Sequence, residues 1–130
     1  MMEALCKAIS ELTFASFCSY ITQQGENAIE FKLEYSFHGN RIEEVFGIME
    51  IDGKLLLSDK GSTLANLDNI YELSEPDVIK NIMAVLKTYN MYPNNNAFVF
   101  NIDPSQDVCP QIFHFLQGIH FLYAMKLFYT

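Results

Sequence analysis

Glu50, Asp52 and Lys54 alternate within five residues. Two carboxylates and an ammonium at that spacing are the groups with which metal-dependent nucleases hold Mg²⁺ and orient a water. The Asp52-Gly53 pair at their centre is also what a two-residue turn requires between two apolar runs. A nuclease would further need a cationic surface for its substrate, and eight Lys plus Arg against sixteen Asp plus Glu in 130 residues do not supply one. The turn is therefore the preferred reading, and no metal or cofactor is expected. Ser58-Asp59-Lys60-Gly61 could set a nucleophile beside an acid or cradle an anion, but no Gly-x-Ser-x-Gly elbow or GKS/GKT phosphate loop accompanies it. Its expected role is structural, with Asp59 and Ser62 or Thr63 capping a short helix and Gly61 permitting a positive-φ turn. His114 and His120 lie six apart on a helical pattern, about 600° of rotation, and cannot chelate one ion together; His38 falls in a turn. Cys6, Cys18 and Cys109 have apolar neighbours and no CxxC spacing, which suits inert thiols in a reduced, cytoplasmic protein. No catalytic residue is assigned, and an enzyme is not expected.

The charge distribution says more. A formal net charge of -8 disfavours direct gripping of a nucleic-acid backbone, which needs clustered cations, and favours basic proteins as partners. Glu26, Glu30, Glu34, Glu43, Glu44, Glu50 and Asp52 face only Lys32 and Arg41 over one stretch. Glu30 and Glu34 share a strand face, and Glu43 and Glu44 begin the next strand, so these four form the candidate partner-binding surface. A second acidic set, Asp59, Asp68, Glu72, Glu75 and Asp77, surrounds two helix starts, where carboxylates are favourably placed in any case. The alternative is that the charge serves only to keep an apolar chain soluble.

Half of the residues are hydrophobic and 14% aromatic, enough for one well-filled core, so residues 1–130 are read as a single domain. The segment before Gly25 reads as one helix, from Leu5, Ala8, Ile9 and Leu12, or else as a short helix followed by a strand. Its start carries Glu3 early and no basic region before an apolar run, so no secretory signal is expected. Ile29, Phe31, Leu33, Tyr35 and Phe37 alternate with polar residues as a half-buried strand. After the turn His38-Gly39-Asn40-Arg41, residues 42–51 form a second strand. Val45, Gly47, Met49 and Ile51 fall on one of its faces and Phe46 and Ile48 on the other, which predicts a central position. Lys54-Leu55-Leu56-Leu57 completes a three-stranded antiparallel meander. Leu64, Ala65 and Leu67 mark a short helix, and Ser74 with Asp77, around Pro76, approximates a capping box for a helix ending near Asn90. Pro93-Asn94-Asn95-Asn96 reads as a loop, and residues 97–102 as a returning buried strand. A final helix carries Ile112, Phe115, Leu116, Ile119, Leu122 and Met125 along one stripe, widened by Phe113, Phe121, Tyr123, Leu127 and Phe128. His114, Gln117, His120 and Lys126 interrupt it, so a membrane span is not expected. The fold class is α+β.

Residues 55–67, Leu-Leu-Leu-Ser-Asp-Lys-Gly-Ser-Thr-Leu-Ala-Asn-Leu, resemble the signature of a family of short phage and bacterial proteins, the domain-of-unknown-function family numbered 1828. That signature is a strand ending in Leu-Ser/Thr-Asp, one residue, Gly, then Thr-Leu and a Leu three residues on; here Ser62 precedes Thr63. The resemblance covers roughly residues 25–130, and the chain has Ile79-Lys80-Asn81 where the family often carries an Arg. It implies a phage or mobile-element origin and an accessory or counter-defence role. The expectation that follows joins this to the charge: a non-enzymatic, anti-CRISPR-like inhibitor that covers the basic nucleic-acid-binding surface of a host effector nuclease with Glu30, Glu34, Glu43 and Glu44. Two alternatives stand beside it. One is a homodimer, or larger module, joined through the apolar C-terminal helix; the other is a metal-dependent hydrolase at Glu50, Asp52 and Lys54.

Overall fold

The computed structural model describes residues 18–23, 27–37 and 40–125. Their order is β1 (Cys18–Gln23), β2 (Ala28–Phe37), β3 (Asn40–Ile51), β4 (Lys54–Ser58), α1 (Ser62–Leu67), α2 (Pro76–Thr88), β5 (Met91–Asn94), β6 (Ala97–Ile102) and α3 (Val108–Ala124). The six strands form one sheet, β1-β2-β3-β4-β6-β5, with every pairing antiparallel. The α+β class and the three-stranded meander stand, but the sheet is larger than the sequence suggested. Residues 18–23 are a strand, not the end of a helix that runs to Gly25. Ladder bonds to β2 and the β-favouring Tyr20, Ile21 and Thr22 outweigh helical spacing there. The remainder of the expected N-terminal helix, residues 1–17, lies outside the described residues, as do Gly25 and the His38-Gly39 turn.

A second addition is β5. Asn95 and Asn96 both have positive φ, 50° and 68°, and close a two-residue hairpin that pairs Asn94 with Ala97. Pro93 is tolerated because of its register. It lies opposite Phe98, whose N–H and C=O are directed at Asp59 on the β4 side, so this is a position where neighbours across the β5–β6 ladder do not bond. Pro93 therefore turns its nitrogen to the free edge of the sheet, where a missing N–H costs no ladder bond.

The expected Asp52-Gly53 hairpin is present, with φ of 52° and 77° at the two turn residues. Helix α2 does not begin with a capping box. Glu75 is the N-cap, without a side-chain cap bond, and the Ser74 hydroxyl instead donates to Glu72 Oε1. Pro76 at the first position presets the helical φ in its place. Asp107 does cap α3, its carboxylate accepting from the Cys109 N–H.

All three helices pack on one side of the sheet. Ile29, Phe31, Phe46, Ile48, Leu55, Leu57, Phe98, Phe100 and Ile102 meet Leu67, Ile82, Leu86 and the expected stripe of α3 in one core. Phe46 is its centre, stacked on Phe31 with ring centroids 5.8 Å apart and edge-on to Phe115 at 6.0 Å. Among the described residues no helix is long and apolar enough to cross a membrane.

Candidate functional site

The four glutamates of the expected contact surface do not share one environment. The even-numbered positions of β3 belong to the core side, so Glu44 falls in step with Phe46 and Ile48 and is only 3% exposed. There the Tyr123 hydroxyl donates to Glu44 Oε1 at 2.5 Å, and Asn66 Nδ2 donates to Tyr123 Oη at 3.1 Å. Burial, and then the Glu44 carboxylate, push the Tyr123 hydroxyl above its usual ionisation range. The pair is a phenol donating to a carboxylate inside the core. Packed beneath α1 beside fully buried Thr63, it offers a substrate no approach, and it ties β3 to α1 and α3.

Glu30 and Glu34 stand half-buried on the opposite face of the sheet. Glu30 forms an ion pair with Lys60, whose stem lies against Gly47 on the neighbouring strand. Glu34 is paired with Glu43 in the β2–β3 register. The expected surface thus divides: Glu44 leaves it and Glu30 is locally neutralised.

The second acidic set is more open. Asp68, Glu72, Glu75 and Asp77 are all exposed along the connection from α1 into α2, and no Lys, Arg or His occurs from Gly61 to Ile79. Asp59 is the exception. It is fully buried, and its Oδ1 accepts from the N–H groups of Gly61, at 2.9 Å, and Phe98, at 3.0 Å. It therefore joins the end of β4 to β6 as well as to the turn, while Gly61 rather than Asp59 is the N-cap of α1. Gly61 has the expected positive φ, 88°, and Lys60 before it shares the left-handed region at 58°. The N–H groups of Lys60 and Gly61 are spent on Ser58 Oγ and Asp59 Oδ1, so this turn is no anion cradle. The residues carrying the family resemblance thus do structural work here.

The other candidates are equally local. Glu50 is half-buried at the end of β3 and Asp52 exposed in the turn, and among the described residues no three His, Cys, Asp or Glu side chains converge on a metal position. His114 packs against Tyr89, with ring centroids at 5.3 Å, and Phe100, at 6.0 Å. His120 is pulled below the ordinary imidazole range by burial. Asp103, fully exposed, is held below its usual range by hydrogen bonds from the Ser105 hydroxyl and N–H.

The C-terminal helix spends its apolar stripe on the core, and Tyr123 with it, leaving Phe113 exposed among its described aromatic residues. Apolar surface is also left uncovered at Ile70, at Ile79 and Met83 on α2, and on the face of the sheet away from the three described helices. Met49 and Ile51 are 50% and 45% exposed there, beside a groove of about 460 Å³ floored by Gly47, Leu56, Ala97 and Val99.

Sequence signals existed for part of this. The even parity that Glu44 shares with Phe46 and Ile48 marks it as inward-facing, and Asn95-Asn96 is a pair that tolerates left-handed backbone. Nothing local marks Tyr123 or Asn66 as partners of Glu44, since they join it across 79 and 22 residues of chain. No protein family model, curated protein or solved structure matches this chain.

Proposed function

We propose that this chain is a small acidic binding protein, without catalysis of its own, that covers a basic nucleic-acid-binding surface on another protein. The observation that carries the reading is the row of exposed carboxylates Asp68, Glu72, Glu75 and Asp77 in a stretch with no cation of its own. Such a row attracts a cationic partner over the screening length of the solution and speeds encounter more than it adds affinity. It replaces the Glu30, Glu34, Glu43 and Glu44 set as the centre of the contact, because Glu44 is buried and Glu30 is already paired. The phage or mobile-element origin and the anti-CRISPR-like target come from the resemblance at residues 55–67, and the cytoplasmic setting from cysteine usage.

The test is target cleavage by a panel of purified CRISPR effector nucleases with the protein added. Inhibition of one nuclease, weakening as salt rises and lost in the double reversal Glu72→Lys/Glu75→Lys, is the expected result. An unaffected panel, or inhibition that the reversal leaves intact, removes the reading.

A further inference from the structure

Helix α2 buries Ile82, Val85 and Leu86 in the core. On its outer side Glu75, Ile79, Met83 and Lys87 follow one another at intervals of four residues, which stacks them in a single row along the helix. The Ile79 N–H bonds to the Glu75 carbonyl, so the row starts at the N-cap and continues to the last turn. All four side chains are exposed, Ile79 and Met83 at 48% each. The Glu75 carboxylate caps nothing, and among the described residues no ion pair engages it or the Lys87 ammonium. An acid in the first turn and a base in the last suit the helix dipole in any case. That preference does not account for the two large apolar side chains between them, on a side of the helix where polar residues are the rule.

From this order we infer that the row Glu75, Ile79, Met83 and Lys87 of α2 is the dimerisation surface of the protein, and that its occupant is the same row of a second copy, running antiparallel. A two-fold axis between Ile79 and Met83 brings Ile79 of each copy against Met83 of its twin, and Glu75 of each against Lys87 of its twin. Both charge pairs are then attractive, whereas a parallel arrangement would set Glu75 on Glu75 and Lys87 on Lys87. Rows at this spacing interdigitate between two helices that cross at about 50°. One helix from each copy makes a contact below about 1,200 Å², in the weak class, so the dimer belongs to high protein concentrations. The inference goes beyond the proposed function: Glu75 is common to both surfaces, but Ile79, Met83 and Lys87 serve this one alone. It also replaces the C-terminal helix as the route to a homodimer, since the apolar stripe of that helix is used in the core.

Sedimentation equilibrium of the full chain from micromolar to near-millimolar concentration tests it, with Glu75→Lys, Lys87→Glu, the exchange Glu75→Lys/Lys87→Glu and the pair Ile79→Gln/Met83→Gln measured alongside. The substituted positions are exposed and glutamine is a good helix former, so the last variant stays informative even where a lysine at the N-cap disturbs the helix. The wild type should pass from monomer to dimer with rising concentration. Each single reversal should weaken the dimer by about tenfold, because the two-fold axis turns both charge pairs repulsive at once, and the exchange should restore it. The glutamine pair should weaken it by about thirtyfold or more, the effect expected of central interface anchors. Reversing Glu75 reduces the net negative charge of the chain and reversing Lys87 increases it, so repulsion between whole copies would strengthen one dimer and weaken the other. Direct pairing of the two residues makes both reversals harmful and the exchange neutral. A wild type that stays monomeric throughout overturns the inference. So does a dimer that Glu75→Lys strengthens, one that the glutamine pair leaves unchanged, or an exchange no better than the single reversals.

Discussion

Along β3, Glu44, Phe46 and Ile48 are buried among the helices, while Met49 and Ile51, one step out of phase, stand about half open to solvent on the other face. The same alternation produces both sets. It decides which side chains travel together and leaves undecided what covers them, because that depends on helices placed by distant chain. On the covered face even a carboxylate is held inside by Tyr123 and Asn66; on the uncovered face large apolar side chains remain in water.

The sharpest way to test this contrast is a pair of truncations. Phe46→Ala, which empties the ring position between Phe31 and Phe115, should lower unfolding free energy in urea by about 3–5 kcal/mol. In dilute protein Ile51→Thr should change it by no more than about 0.5 kcal/mol. Comparable losses at the two positions would mean that the second face is covered within the monomer, and the contrast would disappear.

Next in size is Asp59, the buried carboxylate that couples the end of β4 to the β5–β6 hairpin. Asp59→Ala strands the N–H groups of Gly61 and Phe98 and should cost about 2–3 kcal/mol in the same titration. Asp59→Asn keeps an acceptor oxygen and should recover most of that. An alanine variant as stable as the wild type would show that these bonds do not hold the hairpin to the meander.

The smallest effect concerns His120, on the covered side. Burial disfavours its imidazolium in the folded chain, so below the ordinary pKa of 6.5 the unfolded chain binds more protons than the folded one. Stability should therefore fall as pH drops through 6.5 towards the depressed folded value, with no contribution from this group above it. In His120→Gln the decline in melting temperature between neutrality and about pH 5 should be shallower. An unchanged slope would place the pH dependence in other groups.

These contrasts were only partly legible in the sequence. Strand β2, the Asp52-Gly53 hairpin, strand β6 and the stripe of α3 were readable because each is set by its own periodicity or turn chemistry. The central position of β3 was also readable, although its inference from apolar residues on both faces overlooked that one face stays uncovered. Strand β5 was hidden by Pro93, which marks a break unless its edge register is known. Among the carboxylates, composition located the charge without its burial: the parity of β3 marks Glu44 as inward-facing, whereas the burial of Asp59 follows only from its pairing with Gly61 and Phe98.

At the sheet's β5 edge, the proline that obscured the strand has a consequence for crowded conditions. An outer strand normally offers a template on which further chains can grow into cross-β fibrils. Because Pro93 presents a ring instead of a donor at the centre of this four-residue strand, such a template cannot be read continuously there. A chain that is half hydrophobic can then reach the concentrations of heavy expression with that edge closed to continuous fibril growth.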